Sequence, residues 1–276
     1  MPELPEVEVI TRGLRPHLKG KTIISIWHSG KHLRTPVPYE ILRKKLRGEK
    51  IADVTRRAKY IQIALNSGSL FIVHLGMTGN MGIFPGSSRK TKHDHIELGL
   101  DDGKALRLND VRRFGSVHFL SASDAQQKES TIFKTAGPEP FDDSFSADYL
   151  YKTASNRNIT VKQFIMTSQV VVGIGNIYAS ESLFRARIRP TRKINSLTKK
   201  NWSDLIDNIR KVLKHAIECG GSTISDFLNA NQESGYFQMN FKVYGKNGEK
   251  CSCCSSIIKK EVIGGRASFF CSNCQK

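Results

Sequence analysis

The second residue of the chain is proline, and removal of the initiator Met before so small a residue exposes a secondary amine at Pro2. An α-amino group titrates at about 7.7–8.0, so much of it is unprotonated and nucleophilic near neutral pH. Such an amine attacks a carbon at the aldehyde level and forms an iminium. Glu3 and Glu6 lie three residues apart and on a helix can face the amine together, where one carboxylate could shuttle protons. The same segment also reads as an ordinary helix start, with Pro5 in the first turn and Glu3, Glu6 and Glu8 at the positive helix end. A second chemistry sits at the other end of the chain. Cys251-x2-Cys254 and Cys271-x2-Cys274 are separated by 16 residues, the spacing of two knuckles that supply four thiolates to one tetrahedral Zn2+. Cys253 competes with Cys254 for the metal on sequence grounds alone.

These groups need elements to position them. Val7, Ile10, Leu14 and Leu18 recur at helical spacing up to Gly20. From Thr22 to about Phe133 short apolar or alternating runs (IISIWH, YIQIAL, LFIVHL, HIELGL, ALRL, SVHFL) are separated by turn residues, with one helix at Tyr39–Leu46. The stretch from Lys134 to Ser146 is rich in Pro, Gly and Asp and reads as linker. Helices are expected at 147–154, 160–166, 176–186, 198–219 and 222–228, followed by an irregular segment to Asn240. Between the cysteine pairs, two strands joined by Gly264-Gly265 form a hairpin with Arg266 at its tip, too small to fold without the metal. The expected fold is α+β and multidomain: an N-terminal β-sandwich with an N-terminal helix (1–133), a linker (134–148), a helical domain (149–240) and a zinc-finger β-hairpin (241–276).

Composition narrows the partners. The 276 residues are 39% hydrophobic, enough for a real core, yet carry 43 Lys+Arg against 25 Asp+Glu. A net charge of +18 calls for a polyanionic partner, nucleic acid or an acidic membrane surface. No run approaches the length of about 20 apolar residues that spans a bilayer. The acidic start lacks a signal-peptide pattern, so a soluble protein that stays in the cytosol is expected. Clustered cysteines in that compartment read as metal ligands before disulfides.

Taken in order, MPELPEVE, RRAKY (56–60), HLGMTG (74–79), KHDH (92–95), RRFG (112–115), GPEP (137–140), GIGNIYASE (173–181), GYF (235–237) and the four-cysteine finger resemble the bacterial formamidopyrimidine-DNA glycosylases over essentially the whole chain. The resemblance implies a bifunctional base-excision repair enzyme for 8-oxoguanine and formamidopyrimidines in double-stranded DNA, acting in the bacterial cytosol as a monomer with one structural zinc. Pro2 would displace the oxidised purine from C1′, with Glu3 as general acid/base at the sugar. Lys59 would transfer protons in β-elimination, and Arg266 would serve the δ step and hold a phosphate. Met77, Arg112 and Phe114 would fill the void left by the extruded nucleotide, a role suited to a flexible apolar chain, a guanidinium fork and a wedge. His74, His93, Asn158, Asn176 and Tyr244 would contact DNA, with Asn176 also capping the second helix of a helix-two-turns-helix. His93 reads equally as a structural hydrogen-bonder. The segment 231–240 matches a loop that closes over the extruded base. Asn158 departs from the family pattern, standing where a basic residue is common, and Arg157 is the candidate to compensate. Thr167-Ser168 replaces an acidic residue after the first helix of the motif. Two other readings remain at this point: an endonuclease VIII-like enzyme for oxidised pyrimidines, and a non-catalytic zinc-hairpin binder of nucleic acid.

Overall fold

The computed structural model describes residues 1–126, 132–155, 157–222 and 240–276. The described residues divide into two compact units: 1–126, 132–134 and 219–222 in the first, and 135–155, 157–218 and 240–276 in the second.

The first unit is built on helix α1 (Leu4–Leu18) and two four-stranded antiparallel sheets. Strands β1 (Ile23–His28), β5 (Gly79–Pro85), β6 (Asp94–Leu100) and β7 (Lys104–Asp110) form one sheet in the order β1-β6-β7-β5. Strands β2 (Ile51–Arg57), β3 (Tyr60–Leu65), β4 (Leu70–His74) and β8 (Ser116–Leu120) form the other in the order β2-β3-β4-β8. Ile61 and Ile63 point inward from β3 at period two, and Ile96, Leu98 and Leu100 do so from β6. Val7, Ile10, Leu14 and Leu18 give α1 one apolar stripe, all fully buried in the same cluster. Each such side chain contributes roughly 1.5–3 kcal/mol of burial free energy, which fixes the angle at which the N-terminus arrives. Helix α2 (Tyr39–Leu46) adds Leu42 and Leu46 to this core.

Two strands escape the sequence reading. β2 carries Asp53 and ends in Arg56-Arg57, and β5 holds Gly79, Gly82 and Pro85, residues that ordinarily mark turns. β5 is an edge strand, where proline removes no ladder hydrogen bond. The short helix α3 (Ala122–Gln126) likewise has no counterpart in the sequence pattern.

The second unit contains α4 (Ala147–Ala154), α5 (Val161–Ile165), α6 (Asn176–Arg185) and α7 (Lys199–Glu218), then β9 (Ile258–Ile263) and β10 (Arg266–Cys271) paired as a hairpin. Trp202 and Phe164 pack with ring centroids 5.5 Å apart at its centre, both fully buried. Ser146 caps α4 through the Tyr149 N–H, and Thr160 and Gln163 form a capping box on α5. The expected helix at 222–228 beyond Ser222, and the segment 231–240 up to Asn240, lie outside the described residues. No helix among the described residues is long and apolar enough to cross a membrane.

The stretch read as linker has no helix or strand through residue 146, yet it is not a loose tether. Arg210 of α7 donates to the Pro140, Asp142 and Phe145 carbonyls, and Phe145 is fully buried. Phe145→Ala is therefore expected to destabilise the protein by about 3–5 kcal/mol in urea denaturation. A change under about 0.5 kcal/mol, as at an exposed site, would return this segment to the status of a tether.

Candidate functional site

Pro2 is buried and directly precedes α1. Glu3 is the N-cap residue: its carboxylate accepts the Glu6 N–H, while the Glu3 N–H donates 2.8 Å to Glu6 Oε2. Both carboxylates are 2% exposed. Glu6 Oε1 accepts two further hydrogen bonds, each 2.9 Å, from the N–H and Oγ of Ser222. The two acids that helical spacing alone left equivalent thus differ. Glu6 is a structural anchor for the chain start, and Glu3 is the carboxylate adjoining Pro2.

Lys59 sits in the two-residue turn between β2 and β3, whose strands pair up to Arg57 and Tyr60. Ala58 holds φ at 55°, a left-handed conformation that costs a non-glycine residue of order 1–2 kcal/mol. The turn is braced from below: Arg56 Nη1 donates 3.0 Å to the Ala58 carbonyl, and Arg56 Nε pairs at 2.8 Å with Glu8 of α1. Burial alone would raise the Glu8 pKa, but the hydrogen bonds and charges of Arg56 and Arg12 outweigh it and hold the carboxyl below its usual range. Glu8 and Arg56 escape the sequence reading as site residues, since only the fold reveals that their pairing supports the turn.

His74 lies beside this turn. Burial, followed by the charges of Lys59 and Arg34, lowers its pKa to about 4, so it is neutral at pH 7. Its Nδ1 accepts the Gly76 N–H at 3.1 Å, which leaves the proton on Nε2 as a donor. The ring also packs on Tyr60, centroids 4.7 Å apart.

Met77, Arg112 and Phe114 come together on two adjacent loops, β4–β5 and β7–β8, and all three are exposed. The Arg112 guanidinium lies 4.6 Å from the Phe114 ring centre. A single buried side chain, Asp110, joins the loops. Its Oδ1 accepts the Thr78 hydroxyl at 2.6 Å, and its Oδ2 accepts the Gly115 N–H at 2.8 Å. Thr78 Oγ1 in turn accepts the Arg112 N–H at 3.0 Å. Gly76 permits the close approach: its φ is 66°, and a Cβ there would lie 2.3 Å from the Phe114 carbonyl carbon. His93 contributes its carbonyl, which accepts the Asp110 N–H at 3.0 Å. Asp110, the last residue of β7, carries no distinguishing signal in the sequence, where it reads as one more turn residue.

The remaining residues belong to the second unit. The structure corrects one role: the N-cap of α6 is Gly175, and Asn176 is the first helical residue. Its Nδ2 donates 2.9 Å to the Ala267 carbonyl instead of capping the helix. Lys162 of α5, 1% exposed, donates to the same carbonyl at 3.1 Å and to Ser268 Oγ at 2.6 Å. A buried ammonium requires such partners, and here they fasten the hairpin that carries exposed Arg266. Tyr244 is held by Glu181 of α6. That carboxylate is fully buried and accepts the backbone N–H groups of Lys242, Val243 and Tyr244 at 2.9–3.1 Å. The Tyr244 ring packs edge-on against Phe241 and Phe269. Asn158 is exposed, and Lys193 brings its ammonium 3.2 Å from the Asn158 carbonyl. Arg157 lies over the Phe164 ring at 5.9 Å.

The sulfurs of Cys251, Cys254, Cys271 and Cys274 all lie within 4.8 Å of one another, with pairs at 3.4 and 3.9 Å. Bonds of about 2.3 Å to a tetrahedral zinc place sulfurs about 3.8 Å apart, so the residues present fit the ion. Ser256 hydrogen bonds, followed by Asn273, pull the Cys254 thiol down to about 5, while burial pushes Cys271 and Cys274 up. The crowded thiols cannot all ionise until a cation shares their charge. Cys253 is exposed and outside the cluster, and its N–H donates to Cys251 Sγ at 3.4 Å. The metal position thus belongs to Cys254.

Comparison with known proteins agrees with this architecture. The formamidopyrimidine-DNA glycosylase N-terminal domain matches residues 1–117, the formamidopyrimidine-DNA glycosylase H2TH domain matches 136–228, and the zinc finger found in FPG and IleRS matches 248–276. The chain is 46% identical to a formamidopyrimidine-DNA glycosylase of Vibrio atlanticus and 42% identical to one of Stenotrophomonas maltophilia, covering all of both chains in each case. It also resembles Lactococcus lactis Fpg in complex with DNA containing N7-benzyl-Fapy-dG (TM-score 0.91, 33% identity, all of both chains). A Lactococcus lactis FPG complex with DNA containing an oxidised pyrimidine matches with TM-score 0.90, 33% identity and full coverage of both chains.

Two outcomes follow from the geometry. Gly76→Ala should force the 76 and 114 backbones apart and slow excision of a paired lesion by about tenfold or more, as misplaced positioning groups do. An unchanged single-turnover rate would show that the two loops need not meet. Chelating the zinc should lower Tm and abolish DNA binding, with recovery on adding Zn2+. Full binding by a protein verified as zinc-free would make the metal dispensable.

Proposed function

Because this chain belongs to the formamidopyrimidine-DNA glycosylase family, we propose that it excises oxidised purines from duplex DNA and cuts the strand at the resulting abasic site. The carrying observation is the start of α1, where buried Pro2 adjoins Glu3 while Glu6 is committed to Ser222 and the helix cap. In this reading the Pro2 nitrogen bonds to C1′ as the bond from C1′ to the base breaks. Glu3 handles the proton at the sugar, and ring opening gives an iminium linking protein and DNA. Loss of the C2′ proton then expels the 3′ phosphate, a β-elimination in which Lys59 moves the proton. A second elimination releases the 5′ phosphate, with Arg266 holding a phosphate oxygen. Hydrolysis of the imine returns the amine.

Met77, Arg112 and Phe114 replace the extruded nucleotide in the stack. Their shared support on Asp110 and Gly76 favours this, since unstacking costs a few kcal/mol that only a well-placed filler offsets. His74 contributes a neutral Nε2–H to a phosphate. The first turn of α6 after Gly175 presents backbone N–H groups to another, and Tyr244 flanks the same strand. Lys193 supplies, beside Asn158, the positive charge that Asn158 lacks. Zinc, when bound, cross-links the hairpin that presents Arg266. The enzyme acts as a monomer in the bacterial cytosol, on DNA of the nucleoid. Oxidised pyrimidines are a second substrate class, favoured by the likeness to a structure holding such a lesion.

Borohydride added during reaction with an 8-oxoguanine:cytosine duplex is expected to trap a covalent complex that maps to the Pro2 peptide. Glu3→Gln should reduce base release by about 10²–10⁴-fold. An enzyme that binds the lesion but is never trapped, on this duplex or on an abasic one, would overturn the mechanism. Trapping only on abasic or oxidised-pyrimidine DNA would move the specificity to the second class.

A further inference from the structure

The second unit contains a cavity of about 800 Å3 at the C-terminal end of α6, lined in part by Arg185, Arg187, Lys242 and Lys276. No Asp or Glu side chain lines it, and none of these four cations makes a side-chain hydrogen bond or ion pair among the described residues. Ser252 and Asn273 add neutral hydrogen-bonding groups. α6 is 10 residues long, so about 15 Å of helix separates this cavity from Asn176 at the other end.

The helix end itself argues for a function. The Arg187 N–H donates to the Phe184 carbonyl and the Ile188 N–H to the Leu183 carbonyl, both at 3.0 Å, which is a Schellman ending with Arg187 at its left-handed position. Arg187 has φ of 57°. Glycine is favoured there because it has no Cβ to strain. A helix C-terminus attracts cations, and that accounts for Arg185 in the last turn. It does not account for a left-handed arginine, or for Lys242 and Lys276, which arrive from two other segments.

We propose that this cavity binds the phosphodiester backbone of a second DNA segment, outside the lesion site. Phosphate oxygens take hydrogen bonds from Arg, Lys, Ser and Asn alike, which is the donor set present. An acidic peptide fits less well, because the one aromatic side chain in the lining, Phe184, is 5% exposed and offers little to pack on. The proposal rests on the reading that the protein binds DNA. It goes further in giving the enzyme two grips, so that one duplex can be passed to another without full release. The positive charge near the cavity then serves the search, and excision does not depend on it.

The test uses the zinc-loaded full chain bound to a labelled, undamaged duplex and chased with unlabelled duplex. Wild-type dissociation is expected to speed up as the competitor concentration rises. Arg185→Gln with Arg187→Gly and Lys276→Gln should make the rate independent of competitor. The same variant should reduce the salt slope of binding by about 1 for each phosphate it no longer holds. Single-turnover excision on a short 8-oxoguanine duplex should stay within about twofold of wild type. Arg187→Gly alone should raise Tm by about 2–4 °C as the backbone relaxes. The proposal is overturned if wild-type dissociation ignores competitor, or if the triple variant keeps its dependence. It is equally overturned if polyglutamate of matched charge accelerates release as well as DNA does, or if Arg187→Gly lowers Tm. Loss of excision in wild type and variant alike would count against the glycosylase reading and leave the transfer result standing.

Discussion

A carboxylate removed from water is stable only when hydrogen bonds replace its hydration, and this protein organises its irregular segments around that constraint. Asp110 collects a hydroxyl and a backbone N–H from two loops, and Glu181 collects three consecutive backbone N–H groups. Loops have no ladder of their own to satisfy their amides. A buried anion supplies the missing acceptors and in doing so fixes where the loop side chains point. Met77, Arg112, Phe114 and Tyr244 all owe their placement to such an anchor, though none touches it through its own side chain in the bonds described.

The cations follow a complementary logic. Lys162 is buried and fully used, holding Ala267 and Ser268, so it contributes rigidity. Arg56 is spent on Glu8 and the Ala58 carbonyl, beneath the turn that carries Lys59. The large positive excess of the chain is therefore not one uniform field. Some charges are structural pins, and others, such as Arg185 and Arg187, make no side-chain ion pair among the described residues.

The sequence was most legible where chemistry is local. The zinc centre follows from spacing alone, because a knuckle draws both its ligands from one turn, and the structure needed only to choose Cys254 over Cys253. The α1 stripe, most strands and the Gly264-Gly265 turn follow from periodicity and turn chemistry. Strands β2 and β5 were hidden by Asp53, Gly82 and Pro85, residues whose propensities the tertiary fold overrides. Met77, Arg112 and Phe114 carried no signal beyond family resemblance: in one dimension Met77 and Phe114 look like core residues, and Arg112 is one of many cations. Asp110, Glu181, Glu8 and Arg56 were illegible for a different reason. Their significance lies in partners brought close by folding, many of them backbone atoms, which no side-chain pattern encodes.

The hydrogen bonds from Ser222 to Glu6 span 216 positions of the chain. On the ribosome, the residues of the β-sandwich emerge first and can fold as they appear. The carboxylate that pins the chain start still lacks two of its donors at that stage. The surroundings of Pro2 are completed only after more than three-quarters of the protein has been made. In a nascent chain the environment of Pro2 therefore stays incomplete until the residues around Ser222 have been made.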